Sequence, residues 1–170
     1  GDTRTPNSSI MGSPLMSGER TLHRSKSCES FTARTHQPLA GGLEDRFRQC
    51  IYNEFALSAF QAHCARELTL ESLLFFLEVE VFRELAMAGP CRLPPGVRIE
   101  DYARYIYEIY IDTDAPLQVN ISEEVREDVA NSDGRWSGIF DEAQDMAKAM
   151  LKRHSFIRFE ASEAHMLLAR

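Results

Sequence analysis

The last quarter of the chain contains two consecutive sets of apolar residues at helical spacing. The first set is Phe140, Ala143, Ala147, Met150 and Leu151, and the second is Phe156, Phe159, Met166 and Leu167. Both follow the three- and four-residue intervals of one buried helix face. They predict two amphipathic helices that turn sharply around Arg153, His154 and Ser155, with polar side chains exposed at the turn.

Helical spacing also extends through the middle of the chain. Residues 43–64 predict two short helices, and Thr69 is expected to cap a longer helix that ends at Gly89. The segments LEVEVF and YIYEIYI are rich in β-formers, but each lies inside a longer run at helical spacing. Ser122 is expected to begin another helix that ends near Asn131. The sequence therefore predicts an all-α bundle of roughly seven to nine helices.

The first 42 residues differ in composition from the rest. They are rich in Ser, Thr, Pro, Gly and Arg, and Phe31 is their only aromatic residue. Such a segment buries too little apolar surface to offset the entropy of ordering it. We expect residues 1–42 to be a disordered tail and residues 43–170 to be the folded domain. Because the chain begins with Gly1, we also expect it to be a piece of a longer protein.

Charge and hydropathy exclude several kinds of partner. The chain has 19 basic and 26 acidic residues, of which the tail holds five and three respectively. The folded part therefore has a net charge of −9, which disfavours nucleic acid and anionic lipid as its partners. The longest apolar run, Leu73 to Leu77, is far shorter than the roughly 20 residues that cross a bilayer. No membrane span is expected in this fragment.

The sequence offers no recognisable metal or catalytic site. Cys28, Cys50, Cys64 and Cys91 are widely spaced without a C-x-x-C motif, which favours buried free thiols over disulfides or zinc ligands. His63 cannot share an ion with Cys64, because neighbouring helical positions point in different directions. We predict no metal and no cofactor. An enzyme is disfavoured, since no nucleophile and base pair or phosphate-binding loop is recognisable.

Four ordered motifs carry a resemblance to a known family. They are Glu71 with Phe75 and Phe76, the segment IYEIYI before APLQVNI, the segment FDEAQ, and S-F-x-R-F-x-x-S beginning at Ser155. From about Leu43 to Leu168 the chain resembles the RGS domain, the regulator of G-protein signalling. The resemblance implies a cytoplasmic protein, acting at the inner face of the plasma membrane, that accelerates GTP hydrolysis by the α subunit (Gα) of heterotrimeric G proteins. The module needs no catalytic residue of its own, because it holds the switch loops of Gα in the transition-state conformation.

The resemblance assigns contacts with Gα to particular residues. Asn120 matches the asparagine that the family inserts among the switch loops, and Glu71 matches an acid that faces them. Ser155 and Arg158 match polar residues on the same surface, and Met150 stands where the family usually has Leu. Structural alternatives remain open. Asn120 could shape its loop, and Glu71 could be an ordinary first-turn acid. Arg158 could be a solvated side chain, and Met150 could belong to the core.

Three positions on this surface depart from the family. Ser72 stands where Asn is typical, and Leu68 where an aromatic residue is common. His154 stands where an aspartate accepts from Gα and steadies the arginine equivalent to Arg158. Losing a charge-assisted hydrogen bond at an interface centre costs roughly 1.5–3 kcal/mol, about one to two decades of affinity. We therefore expect weaker recognition of the inhibitory-class Gα. Either the cognate Gα differs, or the domain is an RGS-like scaffold that binds a helix or peptide without accelerating hydrolysis.

The tail contains a short motif for modification. In RSKS, Arg24 stands three residues before Ser27, a spacing that basic-directed kinases favour. A phosphate on Ser27 would add about −1.5 to −2 charges and create a partner for an Arg cluster. The motif resembles the start of the phosphoserine sequence that 14-3-3-type adaptors read, with Glu29 in place of the usual Pro. We predict Ser27 as a phosphorylation site and such an adaptor as a partner of the tail.

Overall fold

The computed structural model describes residues 41–89, 93, 96–132 and 138–168. Three expectations fall outside these ranges: the disorder predicted for nearly all of the tail, the phosphorylation site at Ser27, and the free thiols of Cys28 and Cys91. Within the described ranges every regular element is a helix and there is no strand. The predicted all-α class is therefore confirmed.

Seven continuous helices form the described part of the domain, at the lower end of the predicted range. They are built from α1 (Leu43–Ile51), α2 (Glu54–Arg66), α3 (Leu70–Ala88), α4 (Ile99–Ile106), α5 (Glu123–Ala130), α6 (Asp141–Met150), α7 (Ile157–Glu160) and α8 (Glu163–Leu168). The first π segment (Tyr107–Ile111) continues α4, and the second π segment (Leu151–Phe156) joins α6 to α7. None of these helices combines the length and the apolar character that a bilayer crossing requires.

Several helix ends follow local rules of capping. The hydroxyl of Ser122 accepts a hydrogen bond of 3.3 Å from the amide of Val125, which confirms the predicted start of α5. Helix α3 ends as predicted before Gly89, which has a φ of +77° that residues with a Cβ rarely adopt. Thr69 is the N-cap residue of α3, as predicted, but the expected capping bond of its side chain is wrong. Its hydroxyl makes no bond to the first turn of α3 and lies 3.0 Å from Ser155 Oγ.

The sharp turn predicted at residues 153–155 is also wrong. The backbone remains helical from Asp141 to Glu160, with the second π segment in place of a break. In a π segment each amide bonds to the carbonyl five residues earlier. Positions 151 and 156, five residues apart, therefore both face the core. The same five-residue interval between the two apolar sets is also typical of a change from one helix to the next. Phe156 and Phe159 are buried as predicted, but Met166 on α8 is 53% exposed.

Two phenylalanine-rich clusters form the core. The first contains Phe75, Phe82, Tyr110, Phe140 and their aliphatic neighbours, and the second contains Phe47, Phe60, Phe76, Phe156 and Phe159. Many of the rings meet edge to face, the favoured arrangement of aromatic quadrupoles. Helix α3 contributes to both clusters, and so does the helix from Asp141 to Glu160. These two helices therefore tie the clusters into one core.

A buried amide fixes the register between α3 and α6. The side-chain nitrogen of Gln144 donates to the carbonyl of Phe76 at 3.0 Å and to the carboxylate of Glu80 at 2.8 Å. Its oxygen accepts from Arg83 at 2.6 Å, and Arg83 also donates to Asp141 at 2.7 Å. Because a buried amide without partners would destabilise the fold by about 1–3 kcal/mol, this network penalises any sliding of α6 along α3.

The two described cysteines are free and buried, as the sequence predicted. Burial raises the pKa of the Cys50 thiol to about 12 and that of the Cys64 thiol to about 11. The thiolate is the reactive form of cysteine, so both side chains are unreactive packing groups in the native domain. His63 is buried beside Phe159, with ring centroids 5.6 Å apart.

The helical phase at the end of the second π segment buries Phe156 and exposes Ile157, so replacing these two adjacent residues should have different effects on stability. Phe156 is fully buried against Phe47 and Phe60, at ring-centroid distances of 5.3 and 5.5 Å, whereas Ile157 is 47% exposed. Phe156→Ala should lower the free energy of unfolding by about 3–5 kcal/mol through cavity formation. Ile157→Ala should lower it by less than about 1 kcal/mol. Urea denaturation of the two variants measures the difference, and equal losses would contradict this helical phase.

Candidate functional site

The predicted contact residues lie on three segments of the chain. The connection from α2 to α3 and the first turn of α3 carry Leu68, Glu71 and Ser72. The loop after the first π segment carries Asn120. The end of α6, the second π segment and α7 carry the remaining four, Met150, His154, Ser155 and Arg158. The first and third of these segments are in direct contact, through a hydrogen bond and an ion pair.

The end of α2 explains why Leu68 points into solvent. The amide of Thr69 donates to the carbonyl of Cys64 at 3.0 Å, and the amide of Leu68 donates to the carbonyl of Ala65 at 3.4 Å. This is the Schellman pattern of helix termination, whose next-to-last position adopts the left-handed conformation. Leu68 occupies that position with a φ of +56° and is 86% exposed. A large apolar side chain is thus held outward on a backbone that glycine would adopt with less strain.

Glu67 is the centre of polar contacts on this surface, although no sequence motif indicates this role. Its two carboxylate oxygens accept hydrogen bonds from Nε and Nη2 of Arg158, at 2.6 and 2.8 Å. These bonds hold the pKa of the Glu67 carboxyl below its usual value and raise the pKa of Arg158. His63 Nε2 lies 3.3 Å from the same carboxylate, without the alignment of a hydrogen bond. An ion pair across 91 positions leaves no local pattern in a single sequence.

The structure revises the expectation for His154. The resemblance implies that an aspartate at position 154 steadies the arginine equivalent to Arg158, and His154 stands at that position instead. Arg158 is instead held by Glu67 in a bidentate pair, the geometry that suits a planar guanidinium. His154 itself is exposed. The departure at position 154 therefore removes an acid from the surface but leaves the arginine oriented.

Two of the eight predicted residues are buried. Ser72 and Ser155 are each 2% exposed, and the hydroxyl of Ser155 meets that of Thr69 at 3.0 Å. The hydroxyl of Ser72 reaches Glu71 at 3.4 Å. Both serines therefore support the surface from the interior of the domain and are not exposed on it. Glu71 and Met150 are half-buried, which is compatible with either of the roles open to them.

Asn120 is exposed on a loop whose backbone is anchored to the end of the first π segment. A helix end leaves its last carbonyls without partners inside the helix. Here the carbonyl of Ile109 accepts from the amide of Leu117 at 3.0 Å, and that of Tyr110 accepts from Val119 at 2.9 Å. The buried guanidinium of Arg126 donates to the next carbonyl, that of Ile111. Arg126 is thus a second positioning residue that the sequence did not single out.

Packing in the core connects the loop of Asn120 with helix α3, which carries Glu71 and Ser72. The neighbours of Asn120, Val119 and Ile121, are buried in the first cluster together with Phe75 of α3. Among the residues described, no hydrogen bond or ion pair links Asn120 to the segments of Leu68 or Arg158. No group of three or more potential metal ligands occurs in the same ranges. The site is therefore an open surface of polar and apolar groups.

Comparison with known proteins identifies the domain. The family model of the regulator of G protein signaling domain matches residues 46–166. The regulator of G-protein signaling 16 of Rattus norvegicus is 29% identical over 129 residues, which are 75% of this chain and 61% of that protein. The regulator of G-protein signaling 8 of Homo sapiens is 26% identical over 156 residues, 85% of this chain and 82% of that protein. The chain thus spans about three fifths of the length of the first relative. With the helical fold and the matched motifs, these findings show that the chain belongs to the regulator of G-protein signalling family.

Proposed function

We propose that this domain binds the switch regions of activated Gα and accelerates GTP hydrolysis. The observation that carries the proposal is the fixed surface on which the α2–α3 connection, the second π segment and α7 meet, supported by family membership. The proposed site of action is the cytoplasm, at the inner face of the plasma membrane.

The mechanism that we propose is selective binding of one conformation of the partner. Gα supplies its own arginine, its own water-positioning glutamine and Mg²⁺, and mobile switch loops limit its rate. A protein that binds the transition-state conformation more tightly than the ground state lowers the barrier by the difference in binding free energy. Such a protein needs a rigid surface, since ordering its own side chains on binding would reduce that difference.

Particular residues fit particular parts of this task. An exposed amide at Asn120 donates and accepts hydrogen bonds without adding charge beside a phosphate-binding site. Leu68 offers an apolar contact at the edge of the surface, and Arg158 offers a cation. Glu71 and Met150 are the proposed flanking contacts, and His154 is a polar contact without the usual negative charge. Ser72 and Ser155, both buried, support the surface.

Two observations favour a second candidate, an RGS-like scaffold without GTPase-activating activity. Ser72 is 2% exposed, so its hydroxyl cannot reach a partner in the described conformation, and position 154 has no acid. Such a scaffold would bind its partner equally well whichever nucleotide Gα carries. Dependence on the nucleotide state therefore separates the two candidates.

Single-turnover GTP hydrolysis with a panel of Gα subunits tests the proposed function. We expect at least one Gα to hydrolyse GTP at least about tenfold faster with the domain present, which corresponds to about 1.4 kcal/mol of transition-state stabilisation. Subunits of the inhibitory class should respond less strongly than the best member of the panel. If no class of Gα is accelerated at saturating domain, the scaffold candidate is favoured instead.

Replacement of Asn120 separates activity from stability. Asn120→Ala should leave the thermal midpoint nearly unchanged, because the side chain is exposed, and reduce the acceleration by roughly tenfold or more. Asn131→Ala, at another exposed asparagine that follows α5, is the matched control and should change neither property. A mutant at position 120 that unfolds several degrees earlier while its folded fraction stays fully active would make Asn120 a structural residue.

A further inference from the structure

Glu67 occupies a fixed position at the end of α2. Its backbone amide bonds to the carbonyls of His63 and Cys64, at 3.1 and 3.2 Å. The two residues that follow it complete the Schellman pattern, so the backbone on both sides of Glu67 is hydrogen-bonded. Its side chain is 20% exposed and faces Arg158 on α7, 91 positions further along the chain. The carboxylate is therefore a rigid acceptor that the end of one helix presents to another.

The ion pair occupies only one edge of the guanidinium. An arginine carries five N–H donors in a planar fork. Glu67 uses the hydrogen on Nε and one of the two on Nη2. No acceptor for Nη1 is found in the described part of the chain. The side chain of Arg158 is 52% exposed, so three donors remain for acceptor oxygens of a partner.

Holding the arginine in advance has a consequence for binding. A long side chain that is ordered only on binding reduces the affinity, by roughly two- to tenfold for each immobilised side chain. Arg158 in the bidentate pair is already ordered before the partner arrives. An acid at position 154, four residues before Arg158 and so on the same side of the helix, would supply the same restraint. In this chain that position is His154.

We propose that Glu67 is the positioning residue that orients Arg158 for Gα, and that it compensates for the missing acid at position 154. The inference rests on the proposed function and deepens it. It explains how the surface keeps an ordered cation although position 154 carries no acid. It also assigns Arg158 an outward edge that meets carbonyl or carboxylate oxygens of Gα.

The direct test is Glu67→Gln, which keeps the shape of the side chain and removes its charge. The affinity for the most responsive Gα carrying GDP and aluminium fluoride should fall by roughly two- to tenfold. Glu160→Gln is the matched control. Glu160 is 17% exposed and also forms a bidentate pair between helices, with Arg46 at 2.6 and 3.1 Å, but neither residue belongs to the proposed contact surface. The control variant should bind that Gα within about twofold of the wild type.

Restoring the acid tests the compensation itself. His154→Asp should raise the affinity of the Glu67→Gln variant more than that of the wild type, by about the factor that was lost, because only the variant lacks an acid that orients Arg158. The NMR signal of Arg158 Nε–H should be slow to exchange in the wild type, broaden in Glu67→Gln and recover in the double variant. This signal reports on the pair without any Gα present.

The possible failures are distinguishable. If the wild type binds no Gα in any nucleotide state, the proposed function and the inference both fail. If the wild type binds and Glu67→Gln binds equally well, only the inference fails. An equal gain from His154→Asp in both backgrounds would likewise overturn the compensation, because the two acids would then act independently.

Discussion

The packing of α3 against the long helix from Asp141 to Glu160 is the constraint on which the rest of the structure depends. Both helices contribute to both phenylalanine-rich clusters, and the buried amide of Gln144 fixes their register through the carbonyl of Phe76. The second π segment lets one continuous helix serve both clusters. A continuous α-helix would turn the positions after Leu151 away from the second cluster. The change in hydrogen bonding keeps Phe156 and Phe159 inside it.

The candidate surface follows from this arrangement. Because α7 is held in the core by Phe159, Arg158 faces the end of α2 and meets Glu67. The same helix end places Leu68 in a left-handed backbone conformation and exposes it. Glycine would adopt this left-handed position at the helix end with less strain than leucine does. The loop of Asn120 is fixed separately, by hydrogen bonds to the last carbonyls of the first π segment and by Arg126.

Periodicity in the sequence was sufficient to predict the class of fold, the start of α5 at Ser122 and the end of α3 at Gly89. Periodicity failed to predict the second π segment, in which the buried Leu151 and Phe156 lie five residues apart. A π segment and a break between two helices give the same spacing of apolar residues. Thr69 occupies the predicted N-cap position of α3, but its side chain makes no capping bond, since a tertiary contact with Ser155 engages its hydroxyl. Glu67 and Arg126 could not be found from the sequence, since their partners are 91 and 15 residues away. The resemblance located the eight proposed contacts, but burial separates Ser72 and Ser155 from the exposed ones.

The central claim is that affinity for the transition-state conformation of Gα is the source of any rate enhancement. Equilibrium binding to one responsive Gα in three states, with GDP, with a non-hydrolysable GTP analogue, and with GDP and aluminium fluoride, tests this claim most directly. The account predicts the tightest binding with aluminium fluoride, by a factor over the GTP-analogue state that matches the measured acceleration. Equal dissociation constants in all three states would contradict it.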